Sequence, residues 1–349
     1  MRLAGTPRLA VTACLLLPAA ALAENSIAGT LRTQLEARSA RPGNPLGMED
    51  ENRIVHTGEL RWQFDAPAQN ALRGLFSMRD ASGERGALRI NELTLERPFA
   101  GGFLTAGKKV MSWDVGYAFR PLDVIQQEDR RAIDAPALDG VPMLAWEAFD
   151  AERAITVVLS NPGHGRALQP RDDGALAVRL YRQRGKRDEY AVLRLSRRNG
   201  VEAGLSFSHV LNEGVELHGS ALWQQRHDTW LTPRGQAPRW QPSDSGGKAL
   251  AGFTWTTERK YSLLGEAWLD RTAAPGQQRN MLLRLAHSGG ELEVAGDVLW
   301  QPQNDSRIAS VAAGWRHGRW QLNASWRHYG GVAGTLVRSL GVFSAQLGF

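Results

Sequence analysis

Alternation of apolar and polar residues is the feature of this sequence that most restricts its fold. In residues 31–38, LRTQLEAR, Leu31 and Leu35 fall on one face and the charged side chains fall on the other. Residues 319–327, RWQLNASWR, repeat the pattern with tryptophan and leucine. A period of two residues is the period of a β-strand that has one apolar and one polar face. The sequence therefore predicts an all-β protein.

About eighteen segments carry this pattern, and boundaries that drift by a few residues leave the count at roughly sixteen to eighteen. Their predicted spans are 27–38, 53–65, 71–80, 87–96, 102–112, 141–149, 152–160, 174–183, 188–197, 201–211, 214–226, 247–257, 260–270, 278–288, 290–300, 306–316, 319–328 and 336–349. Segment 188–197 alternates least well. Beyond residue 23, no apolar stretch approaches the roughly 20 residues of a membrane helix.

The connections between these segments alternate in length. Those after even-numbered segments are short, as in APAQN and RPFAG, whereas long ones follow several odd-numbered segments, at 39–52, 113–140, 161–173 and 227–246. Outer-membrane barrels have short periplasmic turns and long outer loops. A soluble sandwich has no reason to sort its loops in this way. The sequence thus predicts a transmembrane antiparallel up-and-down β-barrel.

The N-terminal residues 1–23 have the features of a secretory signal peptide. Arg2 and Arg8 precede a short apolar run that ends in Ala-Leu-Ala, and this is the layout of a cleavable leader. Cys14 lies in a stretch that resembles a lipoprotein cleavage box, but the apolar run continues beyond it. We therefore expect one barrel domain at 24–349, without cysteine and hence without a disulfide.

The C-terminal segment ends on Phe349, with Phe343 and Leu347 on the same face. It resembles the C-terminal signature of Gram-negative outer-membrane proteins. That resemblance implies location in the lipid bilayer of the cell outer membrane and recognition by the outer-membrane assembly machinery. Aromatic residues near segment ends suit the two membrane interfaces. They are Trp62, Trp223, Trp255, Trp300, Trp320 and Tyr329.

Arginine dominates the basic residues: of the 42 lysines and arginines, 37 are arginine, and the formal net charge is +6. Fixed positive charge inside a narrow pore attracts anions, so we expect an anionic solute as partner. No nucleic acid is expected, because an exported protein without a recognition motif has no access to one. The predicted lumen-lining residues are Arg32, Arg38, Arg61, Arg73, Arg79, Arg179, Arg284 and Arg327.

Acidic residues on the same strands leave an alternative open, in which cross-strand ion pairs neutralise much of the arginine. The acids predicted to face inward are Glu36, Glu59, Glu216, Glu266, Glu293 and Asp297.

Residues 112–123, SWDVGYAFRPLD, begin the longest loop, 113–140. A long third outer loop is where general porins fold a segment back into the lumen. We expect Pro121 to start a short helix, and Arg120 and Asp123 either lock the loop to the wall or face the solute. The predicted constriction residues are Trp113, Asp114, Gly116, Tyr117, Phe119, Arg120, Pro121, Asp123, Glu128 and Asp129.

The segment GKKVMSWDVGYAFRPLDV resembles one in the alginate-export-like and related uncharacterised porin-type barrels. The matching or nearly matching positions are Gly107, Trp113, Gly116, Arg120 and Asp123, while Asp114 stands at the usual glycine position. The resemblance covers roughly residues 88–126. It implies a barrel of similar strand count with an arginine-rich lumen that passes anionic substrates. The architecture is carried over here, and the substrate is not.

Enzymatic alternatives depend on few residues. His218 and Ser220 share a strand face, with Glu216 before them, but that face is predicted to line the lumen rather than to meet lipid. Asp172 and Asp173 lie beside a glycine and are typical of a turn. No histidine or cysteine cluster, including the GxG around His164, has metal-ligand spacing. We predict no catalytic residue, metal or cofactor.

Three hypotheses remain at this point. The first is a porin-like channel for anionic small molecules or an acidic polymer. The second is a plugged barrel that acts as a structural or assembly partner of an envelope or secretion complex. An outer-membrane hydrolase is a distant third.

Overall fold

Eighteen antiparallel strands form one closed sheet. The computed structural model describes residues 25–66, 68–84, 86–126, 137–161, 173–231 and 239–349. Each strand of this sheet pairs with the next one along the chain, and the first and last strands, Ser26–Ala40 and Val337–Gly348, pair with each other to close the barrel. The predicted fold class is confirmed, at the upper end of the predicted strand count. The predicted signal peptide, 1–23, lies outside the described residues.

The barrel strands are β1–β11 and β14–β20. Their bounds, together with those of the hairpin strands β12 and β13, are β1 (Ser26–Ala40), β2 (Glu51–Ala66), β3 (Asn70–Ala81), β4 (Ala87–Phe99), β5 (Gly102–Lys109), β6 (Val141–Phe149), β7 (Arg153–Ser160), β8 (Ala175–Arg184), β9 (Arg187–Ser196), β10 (Gly200–Asn212), β11 (Val215–Gln224), β12 (His227–Leu231), β13 (Arg239–Ser243), β14 (Gly246–Thr256), β15 (Tyr261–Asp270), β16 (Arg279–Gly289), β17 (Leu292–Gln301), β18 (Ser306–His317), β19 (Trp320–Gly330) and β20 (Val337–Gly348).

Every predicted segment overlaps one barrel strand, including the weakly alternating 188–197, which is β9. The long loop predicted at 227–246 contains a further element, the two-stranded hairpin β12–β13. Trp230 lies directly across from Trp240 there, with ring centroids 5.2 Å apart. Short strands of five residues, one of which contains Pro242, give too little alternation to be predicted from sequence.

The two faces of the sheet differ in polarity. On β1, the side chains of Leu31 and Leu35 are 56% and 49% exposed on the outer face, whereas Gln34 is 7% exposed on the inner face. A soluble protein buries its large apolar side chains, and a membrane barrel turns them outward to lipid. In the described part of the chain, no helix is long and apolar enough to cross a membrane.

The helix predicted from Pro121 is absent over residues 121–126, which form turns instead. The amide of Asp123 donates to the carbonyl of Arg120 at 3.2 Å, and the amide of Leu122 donates to the carboxylate of Asp114 at 2.7 Å. The amide of Val124 donates to the carbonyl of Leu122 at 2.8 Å, and a bond to the residue two positions back belongs to a tight turn rather than to a helix. The remainder of that prediction, with Glu128 and Asp129, lies outside the described residues.

Candidate functional site

The segment that follows β5, residues 110–126, lies inside the barrel. At one end, the amide of Val110 donates to the carboxylate of Glu92 on β4 at 2.8 Å. At the other, the ring of Tyr117 lies 5.3 Å from the guanidinium of Arg284 on β16. Strands β4 and β16 are far apart around the closed sheet. A loop that contacts both therefore crosses the interior.

The carboxylate of Asp123 is the centre of this loop. It accepts hydrogen bonds from the hydroxyl of Ser112 at 2.9 Å and from the amides of Trp113 and Asp114 at 2.6 and 3.0 Å. The Nε of Arg120 lies 2.7 Å from Asp123 Oδ2 in an ion pair whose side chains are 5% and 0% exposed. Arg120 and Asp123 are thus placed as an internal tie of the loop rather than on its solvent face.

Asp114 forms the second tie. Its carboxylate accepts the amides of Val115 and Leu122 at 2.8 and 2.7 Å, and its backbone carbonyl accepts from Arg120 Nη2 at 2.5 Å. The hydroxyl of Ser220 on β11 lies next to the same carboxylate. Burial is the main cause that raises the pKa of Asp114, and the two amide hydrogen bonds act in the opposite direction. The residue at the usual glycine position is therefore part of the loop's own framework.

The apolar side of the loop packs on the wall formed by β6–β11. Trp113 and Leu122 are 4% and 0% exposed in this cluster. Complete burial of such a side chain contributes about 1.5–3 kcal/mol, so the loop is anchored by contacts as well as by hydrogen bonds. The members of the cluster are Met111, Trp113, Leu122, Ile125, Val141, Met143, Ala145, Val158, Ala177, Val192 and Leu222.

The tip of the loop is held by Glu266 on β15. Its two carboxylate oxygens accept the amides of Tyr117 and Ala118 at 2.5 and 2.8 Å, and His218 Nε2 lies 3.1 Å from Oε1. The ring of Phe119 stacks on Trp268 of the same strand, with centroids 5.4 Å apart. Alternation in the sequence predicted that Glu266 faces inward, but gave no sign that it binds a loop about 150 residues earlier.

Gly116 is required by the bend before this tip. A Cβ added there would lie 2.0 Å from the carbonyl oxygen of Phe119, which is backbone and has no room to move. It would also lie 2.5 Å from a side-chain carbon of Leu250 on β14. Only glycine lets the loop turn this close to the wall.

The residues weighed as a hydrolase site have separate partners. His218 pairs with Glu266, Ser220 lies beside Asp114, and Glu216 accepts from the hydroxyl of Ser208 at 2.7 Å. Asp173 pairs with Arg194 at 2.6 Å, while Asp172 and His164 lie outside the described residues. Within the described ranges, no group of three His, Cys, Asp or Glu side chains is arranged to hold a metal ion.

The arginines predicted for the lumen lie on the inner face of the sheet. Arg284 faces Tyr117, and Cα pairing continues across neighbouring strands from Arg284 to Asp297, Ser310 and Arg327. Directly paired residues share a face. The pairing of β1 with β2 and of β2 with β3 places the arginines of these strands on the inner face as well. They are Arg32, Arg38, Arg61, Arg73 and Arg79. Only Arg179, on β8, belongs to the wall that carries the loop, and it lies 4.9 Å from the ring of Tyr190.

Several of these arginines lie close to acids. Arg38 lies 2.5 Å from Glu51, and Arg79 lies 2.8 Å from Glu84. Looser pairs join Arg73 to Glu96 at 3.5 Å and Arg284 to Asp297 at 3.6 Å. Cross-strand pairing thus offsets part of the positive charge of this wall.

Two cavities lie between the loop and this charged wall. One of about 500 Å³ is bordered by Tyr117, Arg284, Ser310 and Arg327. Another of about 360 Å³ is bordered by Arg32, Arg61, Val110 and Leu138. Among the described residues, the loop thus packs against one wall and leaves cavities at the other.

The predicted assembly signal lies where β20 pairs with β1 and closes the barrel, here called the seam. Phe343 and Leu347 pair across from Leu35 and Leu31 on the apolar outer face. Phe349 exchanges two backbone hydrogen bonds with Gly29, at 2.8 and 2.9 Å. Its ring covers Gly29 so closely that an added Cβ would lie 2.3 Å from it.

Similarity to known proteins appears only in structure. No family model matches the chain, and neither does any curated protein sequence. The resemblance to alginate-export-like barrels therefore stays a prediction.

Solved structures similar to this one include two mutants of the porin of Rhodopseudomonas blastica. They are 11% and 10% identical, each has a TM-score of 0.54, and each match covers 93% of this chain and all of the other. A structure described as "Asymmetric conductivity of engineered proteins" matches with a TM-score of 0.51 and 10% identity, and the match again covers 93% of this chain and all of the other. These similarities show that the chain has a porin-type barrel fold.

Proposed function

We propose that this protein is an outer-membrane channel through which small solutes diffuse, with a preference for anions. One observation carries the proposal: the loop 110–126 is fixed to one wall of a closed barrel, and cavities remain between it and the opposite wall. A barrel of this width is not filled by its side chains alone. Residues 110–126 would narrow the lumen, reach the charged wall where Tyr117 contacts Arg284, and leave cavities beside that contact.

The anion preference follows from which arginines border the open side. Arg32, Arg61, Arg284 and Arg327 line the two cavities, and low-dielectric walls focus their field on a passing ion. Acids lie on the same surfaces and offset part of that field, namely Glu59, Glu92, Glu291, Glu293 and Asp297. We therefore propose a modest preference for small anions rather than a pathway dedicated to an acidic polymer.

Location in the outer membrane is supported by the outward apolar band and by the C-terminal residues at the seam. Strands of about ten residues are long enough to cross a bilayer. Residues 1–23 would direct export, and Phe343, Leu347 and Phe349 would be recognised by the assembly machinery. In this arrangement the short turns face the periplasm and the loop 110–140 enters from outside.

Conductance in planar bilayers tests the proposal. The purified protein should give stepwise currents in KCl. Under a tenfold KCl gradient, the sign of the reversal potential should show that chloride is more permeant than potassium. Absence of current in the intact protein, with current after deletion of 113–140, would instead support the second candidate, a plugged barrel that serves an envelope or secretion complex. Cation-selective currents would keep the channel and remove the anion preference.

A further inference from the structure

The outer surface of the barrel carries an apolar depression across β8–β14, here called the outer alcove. It has a volume of about 750 Å³. Its floor is formed by small outward-facing residues such as Ala191, Ala221 and Ala251, and its sides by Leu205 and Phe207. Cα pairing of Ala191 with Leu205, and of Leu205 with Ala221, puts these residues on one face. Leu205 is 66% exposed, which identifies that face as the outer one.

Arginines cluster at the end of the outer alcove nearest the short turn between β8 and β9. Arg182 and Arg187 belong to the lining of the alcove itself. Arg184 lies directly across from Arg187, and Arg153 lies directly across from Arg182. The turn adds Lys186.

Like charges placed directly opposite each other on a sheet are destabilising, and this edge has two such arginine pairs. The acids nearby offset them in part. On the same face, Glu189 lies 3.1 Å from Arg187. In the neighbouring turn, Asp150 accepts the amides of Glu152 and Arg153, each at 2.8 Å. The outward face thus has more positive than negative side chains and is suited to a bound anion.

The two features are continuous, because Arg187 also lies over the ring of Phe207 at 5.4 Å. Guanidinium groups bind phosphate oxygens in a planar, two-point manner. A ligand that matches both parts has an anionic phosphate at one end and a hydrocarbon chain at the other. Free inorganic phosphate would leave the alcove empty, and an uncharged lipid would leave the arginines without a counter-charge.

We propose that the outer alcove is a binding site for one anionic glycerophospholipid. An acyl chain occupies the alcove, and the headgroup phosphate contacts Arg182 and Arg184. The site belongs to the leaflet on the short-turn side, so the inference rests on the membrane placement given under the proposed function. It does not depend on whether the barrel conducts.

Native mass spectrometry of the purified full chain tests the site. The protein is released from micelles that contain equal amounts of phosphatidylglycerol and phosphatidylcholine with the same acyl chains. Wild type should retain one phosphatidylglycerol at least about tenfold more often than phosphatidylcholine, since each basic residue near a lipid surface contributes appreciably. The double variant Arg182→Gln/Arg184→Gln should lose that excess.

Two further variants separate charge from shape. Arg259→Gln/Arg319→Gln removes the same charge from two other short turns and should retain the lipid as wild type does. Ala221→Phe fills the alcove without changing charge and should lower retention of phosphatidylglycerol. Equal retention of both lipids by wild type would overturn the proposal, as would full retention by Arg182→Gln/Arg184→Gln. Currents measured on the same preparation report on the channel separately.

Discussion

The interior of the barrel has two unlike walls. The wall of β6–β11 presents an apolar cluster beside buried polar residues such as Arg194 and Glu202, and the loop covers the cluster with Trp113 and Leu122. The wall of β16–β20 and β1–β3 presents arginines interleaved with acids. The loop reaches it where Tyr117 contacts Arg284, and cavities lie beside that contact. The same alternation produces both walls, and only the inward residues differ. Under the proposed function, one wall positions the loop and the other meets the solute.

The largest effect is expected from the loop's central carboxylate. Asp123→Ala leaves the buried guanidinium of Arg120 without its partner and removes the acceptor of two amides. Loss of one member of a buried ion pair costs about 3–5 kcal/mol of stability. The loop should therefore detach from the wall of β6–β11. Single-channel conductance should rise, and loop residues should become sensitive to protease. Asp139→Asn, which breaks the more exposed pair with Lys108, is the control and should change neither.

A smaller effect is expected at the tip. Glu266→Ala leaves the amides of Tyr117 and Ala118 without an acceptor, at about 1–3 kcal/mol for each buried group. Glu266→Gln keeps one acceptor oxygen and should be milder. Fluctuation of the open-channel current measures tip mobility. If the open-channel current of both variants fluctuated no more than that of wild type, contacts such as Phe119 with Trp268 would hold the tip without Glu266.

Selectivity distinguishes the two walls directly. Arg284→Ala removes a charge that borders the larger cavity, and the anion preference should fall by a factor of about two to five, since partly exposed charges contribute roughly 1 kcal/mol or less. Arg179→Ala removes a charge from the wall that carries the loop and should leave the reversal potential unchanged. Equal shifts in both variants would show that ions pass along both walls.

The smallest effect concerns pH. Burial raises the pKa of Asp114 above its ordinary 3.8, so the folded loop binds this proton more tightly than the released loop does. The free energy that this bound proton adds to the stability of the folded loop is fully present below about pH 3.8. It is lost as the pH rises through the raised pKa. Asp114→Asn should remove this part of the pH dependence of heat unfolding. If the unfolding temperature of the variant depended on pH as that of wild type does, this role of Asp114 would be contradicted.

The sequence predicted the strands far better than the loop. Strands were predictable because lipid on one side and the interior on the other impose a period of two, as in Leu31, Gln34 and Leu35. The tie of Tyr117 to Glu266 joins residues far apart in the chain, and no local pattern indicates it. The helix expected at Pro121 does not form over 121–126, where the amide of Val124 bonds to the carbonyl of Leu122 in a tight turn.

The seam between β1 and β20 has a consequence for how the protein folds. The two strands lie at opposite ends of the described residues, so their pairing closes a loop that contains every other described strand. Until they meet, the sheet has two free edges, which can pair with other chains and aggregate. Contacts this distant in sequence form slowly. Barrel closure is therefore the step at which the unfinished molecule most needs protection from its neighbours.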